Sequence, residues 1–377
     1  MPIPFSTQLS GAAFLANRQF ALLADEPRVG KTGTAIIAAD YNLDNFILVV
    51  TTASGRAVWR RAMALWSAFG RQVQVLTDAV ALWAPVVIVG WGAITKPDIR
   101  KLLLGRRWNR LILDEAHKAK NFENKTTQAT YGVLLDGGDD LDTSLALVGH
   151  ADGTWPLTGT PLPHDASDIY PMMRSLCPER LAANPARGWP DVTTERAFVD
   201  RYCKWRMKKL PRGFRKIRVI FGGRNESELG DRLEGFWLLR TQQDVGIRAP
   251  IYETMPLTVT DRMLREVEGD LKRAEILQAA RDADTRSLEM HLGPLRRMTG
   301  EMKARLVVDA VKDEFEGGLD KIVLAYWHKD VGQILLDGLH SYGVVGIDGA
   351  TPPNKRAAAE QAFLHDPKKR VFLAQIE

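Results

Sequence analysis

The chain has 377 residues, 45% hydrophobic and 26% charged, with Lys+Arg 51 against Asp+Glu 46 and a net charge of +5. This excludes a disordered or fibrous chain, allows two or three domains with cores of their own, and gives only a weak overall pull toward polyanions, so local clustering of charge matters more. Cys177 and Cys203 have no second Cys or His at zinc-like spacing and read as free thiols in a reducing compartment, the N-terminus MPIPFSTQLS lacks the pattern of a signal peptide, and the longest apolar runs, such as 85–94, are too short to span a bilayer; the expectation is a soluble, intracellular, cytoplasmic protein.

Up to residue 161, short apolar runs at 20–24, 46–51, 86–90, 111–113 and 155–158 alternate with helical patterns at 31–39, 55–69 and 96–104. Strands alternating with helices predict a parallel sheet covered on both faces, an α/β fold. The first run leads into LLADEPRVGKTGTAIIAA, a strand, a tight turn, Gly30-Lys31-Thr32 and a helix. Phosphate binding needs this arrangement: amides of the turn and helix N-terminus face the anion, Lys31 adds a mobile charge, and Thr32 offers a hydroxyl to Mg²⁺. A strict P-loop would have glycine at position 25, where Asp25 stands. Further on, NRLILDEAH is an apolar strand ending in paired carboxylates, the place where parallel α/β sheets bind ligands. Asp114 there suits Mg²⁺, and Glu115 suits polarisation of an attacking water.

Residues 168–240 read as helical, then basic, then helical, like an insertion at about 165–245 on a first lobe spanning 1–250. Its centre, RYCKWRMKKLPRGFRKIR, carries Arg201, Lys204, Arg206, Lys208, Lys209, Arg212, Arg215, Lys216 and Arg218 and no acid. Pro211-Arg212-Gly213 marks a turn, so a basic hairpin is expected, able to neutralise phosphates without reading sequence; a solvated basic face is the plainer reading. Residues 251–259 read as a strand, 260–315 as charged and helical. From 321 a second α/β pattern runs: strand 321–326, helix 328–340, strand 344–347, helix 354–364, strand 370–374.

GKT followed by DEAH after an apolar strand resembles motifs I and II of superfamily 2 helicases. Phe5-Ser6-Thr7-Gln8 resembles the adenine-reading Q motif. Leu157-Thr158-Gly159-Thr160-Pro161 resembles motif III of the Swi/Snf-type branch, where DEAD-box RNA helicases usually carry Ser-Ala-Thr. LVVTTAS (48–54) and Trp91-Gly92 fall at motifs Ia and Ib. IVLAYWHK (322–329) resembles motif IV, GIDGATPPNKR (346–356) the next block of that branch, and FVDRYC (198–203) a segment of annealing-helicase relatives.

The resemblance implies two RecA-like parallel-sheet lobes, a P-loop NTPase fold, hydrolysing ATP with Mg²⁺ and moving on double-stranded DNA. It implies Gln8, Arg28, Val29, Gly30, Lys31, Thr32 and Gly33 around ATP, and Thr32 and Asp114 on Mg²⁺. Catalysis falls to Lys31, Asp114 and Glu115, and coupling of phosphate state to DNA grip to His117, Thr158, Gly159 and Thr160. The nucleic-acid path takes Thr51, Thr52, Ser54, Trp91, the hairpin cations, His328, Lys329, Asp348, Gly349 and Arg356. For Thr51, Thr52, Ser54 and Trp91, capping of strand ends is an equal reading. Arg28 stands where the branch has glycine, and Leu238-Leu239-Arg240-Thr241-Gln242 only loosely matches its Arg-Arg-x-Lys block. The chain stops where motif V would begin, so an incomplete second lobe (251–377) is expected, with weak activity unless the native protein continues. An RNA-directed DEAH-type helicase, a non-enzymatic nucleic-acid-binding module (against which Lys31, Thr32, Asp114 and Glu115 argue) and a switch ATPase acting on a protein are the alternatives.

Overall fold

A computed structural model describes residues 2–135, 140–209, 216–248, 251–256 and 285–376. The chain divides into two compact units, Met1–Pro250 and Ile251–Glu377.

Unit 1 is built on a seven-stranded sheet in the order β11-β1-β8-β5-β2-β4-β3. The strands are β1 (Leu22–Leu23), β2 (Ile47–Thr51), β3 (Val73–Leu76), β4 (Val86–Gly90), β5 (Trp108–Asp114), β8 (Ala151–Leu157) and β11 (Trp237–Leu238). All their pairings are parallel. The central strands are apolar on both sides because both sides are covered. Leu48, Val50, Leu111 and Leu113 enter one core and Ile47, Val49 and Ile112 the other. The second core is closed by α1 (Ser6–Ala16), α2 (Lys31–Tyr41) and α3 (Gly55–Trp66), through Ala12, Leu15, Ile36, Trp59 and Met63. The first is closed by α4 (Pro97–Leu104), α5 (Lys125–Tyr131), α6 (Tyr170–Leu176), α7 (Glu195–Tyr202) and α8 (Glu226–Leu233). An antiparallel pair, β6 (Val133–Leu135) with β7 (Asp140–Asp142), follows α5.

The stretch expected as an insertion shares its core with the sheet. Phe122, Tyr170, Phe198 and Tyr202 form a file of rings with successive centroids 6.0, 5.2 and 4.8 Å apart. Arg232, with no exposed surface, sits beneath this layer and donates to the carbonyls of Ala182 (3.3 Å) and Pro190 (2.6 Å) and to Glu228 (3.3 Å). A buried guanidinium persists only when its donors are met in this way. Between α7 and α8, β9 (Cys203–Lys209) and β10 (Lys216–Gly223) form the expected hairpin. Cys177 and Cys203 are unpaired and buried, and burial pushes both thiols up.

Unit 2 holds α9 (Thr285–Glu316), β12 (Ile322–Tyr326), α10 (Lys329–Leu339), β13 (Val344–Ile347), α11 (Pro353–His365) and β14 (Val371–Gln375). Its three strands are parallel in the order β12-β14-β13, with Val308, Val311, Phe315, Leu335, Leu339, Val371 and Leu373 in the core. The strand expected at 251–259 is not formed in its described part: 251–256 pairs with no ladder, and 257–259 lies outside the described residues.

Candidate functional site

In a parallel sheet the carboxyl ends of the strands lie on one edge. Here that edge collects the ends of β1, β5, β8 and β2, and with them most of the unit 1 motifs. After β1 the chain makes the loop 25–30. Arg28 has φ +73° and Gly30 φ +101°, so two residues take the left-handed region before α2 begins at Lys31. The glycine meets that demand freely; the arginine carries backbone strain of a kind that clusters at functional sites. Gly30 and Gly33 also leave room for Gln8: a Cβ on either would lie 2.8 or 2.9 Å from its Nε2. Val29 is the buried residue between Arg28 and Gly30 of the loop, and Thr32 is half-buried in the first turn of α2.

Lys31 turns its amine back onto the loop, donating to the carbonyls of Asp25 (2.7 Å) and Glu26 (3.2 Å). Burial pushes its pKa below the usual lysine value, against the opposing charges of Glu115, Asp25 and Asp114. Asp114, at the end of β5, is fixed through one oxygen: Oδ2 accepts from the Thr51 hydroxyl (2.6 Å) and the Trp59 indole N–H (2.9 Å). Its neighbour Glu115 takes φ +54°, and its side chain is 43% exposed. His117 Nδ1 lies 3.0 Å from Thr158 Oγ1, 3.3 Å from Thr160 Oγ1 and 3.3 Å from Glu115 Oε2. Gly159 lies against the phosphate loop, where a Cβ would come 2.9 Å from Pro27. The structure therefore brings together Lys31, Asp114, Glu115, His117, Thr158, Gly159 and Thr160.

Other sequence expectations change. Gln8 is only 3% exposed and sits behind the phosphate loop, its Oε1 accepting from Phe5 N (3.0 Å) and its Nε2 donating to Gly30 O (3.4 Å). In this position its amide braces the loop. Thr51 has no exposed surface and its hydroxyl is held by Asp114. Trp91 is buried, its indole N–H donating to Asp114 O at 2.8 Å. Thr51 holds the Asp114 carboxylate and Trp91 its backbone carbonyl, and both side chains are buried. Thr52 Oγ1 accepts from Gly55 N (3.0 Å) at the start of α3, leaving Ser54 as the exposed hydroxyl there.

On the hairpin, Lys204, Arg206 and Lys208 alternate along β9 and are all exposed. Lys209 and Lys216 form its outermost described rung, and Arg212 and Arg215 lie outside the described residues. Two cations of the run are structural. Arg201 is bound by Glu228, and Arg218 lies 4.0 Å over the Trp205 ring and 3.2 Å from Asp200, which also accepts the Trp205 indole N–H (2.9 Å). In unit 2, His328 is the residue before α10 and Lys329 its exposed first residue. Asp348 and Arg356 are occupied internally: the carboxylate accepts from Ala350 N (3.1 Å) and the Thr351 hydroxyl, and the guanidinium donates to Thr351 O and Asp348 O at 2.8 Å each. They shape the turn around the exposed Gly349.

Sequence reasoning missed three residues: Asp25 as a buried side chain, Arg240 as its partner, and Trp59. Asp25 in a glycine position was a signal; Trp59 carries none in the sequence, and only the fold brings it to Asp114.

A family model of the SNF2-related domain matches residues 7–210. A Xenopus tropicalis SWI/SNF-related matrix-associated actin-dependent regulator of chromatin subfamily A-like protein 1 is 25% identical over 389 aligned residues, covering 99% of this chain and 37% of that protein. The Drosophila melanogaster protein of the same name is 32% identical over 159 residues, 38% of this chain and 20% of the relative. A helicase SWR1 of Gibberella zeae is 24% identical, covering 76% of this chain and 17% of its own length. The chain thus spans well under half the length of these relatives. Among solved structures, the Sulfolobus solfataricus SWI2/SNF2 ATPase core in complex with dsDNA is similar with a TM-score of 0.47 and 16% identity, over 98% of this chain and 77% of that one.

Proposed function

The chain belongs to the SNF2-related domain family, and from that membership we propose that it is an ATP-hydrolysing motor that moves on or remodels double-stranded DNA. The observation that carries the reading is the meeting of Lys31, Asp114, Glu115 and the His117–Thr158–Thr160 cluster at one edge of a parallel sheet. The Lys31 amine leaves two loop carbonyls to meet the β- and γ-phosphates, and amides of the loop and the first turn of α2 face the same anion. The Thr32 hydroxyl and Asp114, through the oxygen not bound to Thr51 and Trp59, suit Mg²⁺, which supplies positive charge beside the transferring group. Glu115, partly exposed and in contact with His117, orients and polarises the attacking water. His117 touches Glu115 and both motif III threonines, so a change at the phosphate reaches the end of β8. The exposed face of Lys204, Arg206 and Lys208 supports a phosphate-backbone partner.

The test is ATP hydrolysis with no nucleic acid, single-stranded DNA, duplex DNA and RNA. Duplex DNA gives the largest stimulation, and Lys31→Ala abolishes turnover in every condition. Stimulation by RNA alone would replace the reading with the RNA-directed one; indifference to every polynucleotide would favour a protein partner.

Burial holds the His117 imidazole below the ordinary histidine value, outweighing the pull of Glu115. The residue is therefore neutral at pH 7. An unfolded histidine binds its proton near pH ~6.5, above the folded value. Protonation thus removes stability as pH falls from there through the folded value. It also draws the Glu115 carboxylate into an ion pair. We expect an acid limb in the kcat–pH profile as pH falls through the folded His117 value, and His117→Asn removes this limb.

A further inference from the structure

The parallel ladder between β1 and β11 does not stop at the strand ends. Leu22 N donates to Phe236 O (2.9 Å), Ala24 N to Leu238 O (2.7 Å) and Glu26 N to Arg240 O (2.9 Å), which carries the pairing into the phosphate loop itself. Two more bonds continue it: Gln242 N to Glu26 Oε2 (2.7 Å) and Gln242 Nε2 to Pro27 O (3.0 Å). The side chains close the same seam. Arg240 grips Asp25 with both arms of its guanidinium, Nε at 3.0 Å from Oδ1 and Nη2 on Oδ2, and Asp25 has no exposed surface. The remaining nitrogen, Nη1, donates to Thr7 O and, at 3.3 Å, to Ser10 Oγ on α1. Gly11 of α1 leaves the room for this, since a Cβ there would lie 2.7 Å from Arg240 Nη2.

Asp25 is therefore a node. Its carboxylate holds Arg240, and its carbonyl holds the Lys31 amine at 2.7 Å. The segment beyond Arg240 forms a turn, with Thr241 N on Asp244 Oδ2 (2.7 Å) and Ile247 N on Gln242 O (2.9 Å), in the last residues of unit 1.

We propose that Arg240 and Asp25 form a positioning clasp that fixes the phosphate loop against the segment 240–248, so that nucleotide occupancy of the loop is felt in that segment. The clasp rests on the nucleotide reading given above. Bidentate Arg–carboxylate geometry fixes both distance and plane, which a lysine cannot do. When Lys31 turns to a phosphate it releases the Asp25 carbonyl, and the loop keeps its shape only if the Asp25 side chain stays held. Arg240 acts through Asp25 and touches no reacting atom.

The experiment is fluorescence titration of the full chain with a MANT-labelled ADP, together with amide hydrogen exchange over 241–248 with and without nucleotide. The variants are Asp25→Asn, Arg240→Gln, the double Asp25→Asn/Arg240→Gln, and Arg240→Lys. Each single neutral variant binds about tenfold more weakly, a change of about 1.4 kcal/mol. The double variant binds about as weakly as either single one, because one interaction is lost in all three. Arg240→Lys falls between the wild type and Arg240→Gln. Nucleotide slows exchange at 241–248 in the wild type and leaves it unchanged in Arg240→Gln.

A lone buried charge can unfold a protein, whereas removing both partners is tolerated. Should a single variant fail to melt cooperatively, the double is compared with the wild type, and normal affinity in the double overturns the proposal. It is also overturned if Arg240→Gln binds and exchanges like the wild type, or if the two single losses multiply in the double. Lys31→Ala separates the two levels. Loss of MANT-ADP binding there with intact binding in the clasp variants sinks the clasp alone; unchanged binding in Lys31→Ala sinks the nucleotide site beneath it.

Discussion

Glu115→Gln slows ATP hydrolysis by about 10²–10⁴-fold, the usual worth of a positioned general base, while ATP still binds. The substitution keeps the size of the side chain and removes its charge. The φ of +54° at this position is not made worse, since neither side chain is β-branched. Asp114 is left with its bonds to Thr51 and Trp59, and Lys31 with its loop carbonyls, so the parts that hold the nucleotide stay in place. Single-turnover hydrolysis and nucleotide titration on the same sample separate the two effects. A variant that hydrolyses at the wild-type rate would move the base elsewhere. A variant that loses binding as well would mean that Glu115 shapes the site and does not act in it.

The triple variant Lys204→Glu/Arg206→Glu/Lys208→Glu loses most of its affinity for duplex DNA and much of its salt dependence. Each phosphate contact contributes about 0.9 to the slope of log K against log salt, so neutralising three contacts lowers that slope by about 2.7. The three side chains alternate along β9 and face solvent, opposite Trp205. Arg218, Trp205 and Asp200 bind one another at the base of the hairpin and are untouched. Thermal stability therefore changes by no more than the ~0.5 kcal/mol typical of surface substitutions, and ATP binding is retained. Fluorescence anisotropy of a labelled duplex at several salt concentrations reads both affinity and slope. An unchanged slope would exclude this face as a phosphate contact.

What the sequence displays and what it hides divide by range. The strand ends bearing Gly30-Lys31-Thr32 and Asp114-Glu115 were legible because strand, turn and helix chemistry lie within a dozen neighbouring residues. Short β11 and β3 were not, since two to four residues carry no period of their own. The basic run read as uniformly free because Glu228, the partner of Arg201, lies a helix away; its pairing depends on α7 and α8 packing together. Thr51 and Trp91 were read from motif position as contacts on the nucleic-acid path, yet both serve Asp114, a use that appears only when β2, β4 and β5 lie side by side. Asp25 and Arg240 are more than two hundred positions apart, beyond any local pattern.

The file of rings from Phe122 through Tyr170 and Phe198 to Tyr202 has a consequence for how this fold can vary or be rebuilt. The helices that carry the hairpin share a core with Leu111 and Leu113 of the central strand. They are not a cassette that could be exchanged between homologues at the borders of the expected insertion. A chimera cut at 165 and 245 would mismatch the packing on both sides of each junction, and would need the aromatic layer transplanted with it. The outward row of β9, by contrast, touches none of that core. Grip on a polymer can be retuned there one residue at a time, by descent or by design, without renegotiating the interior.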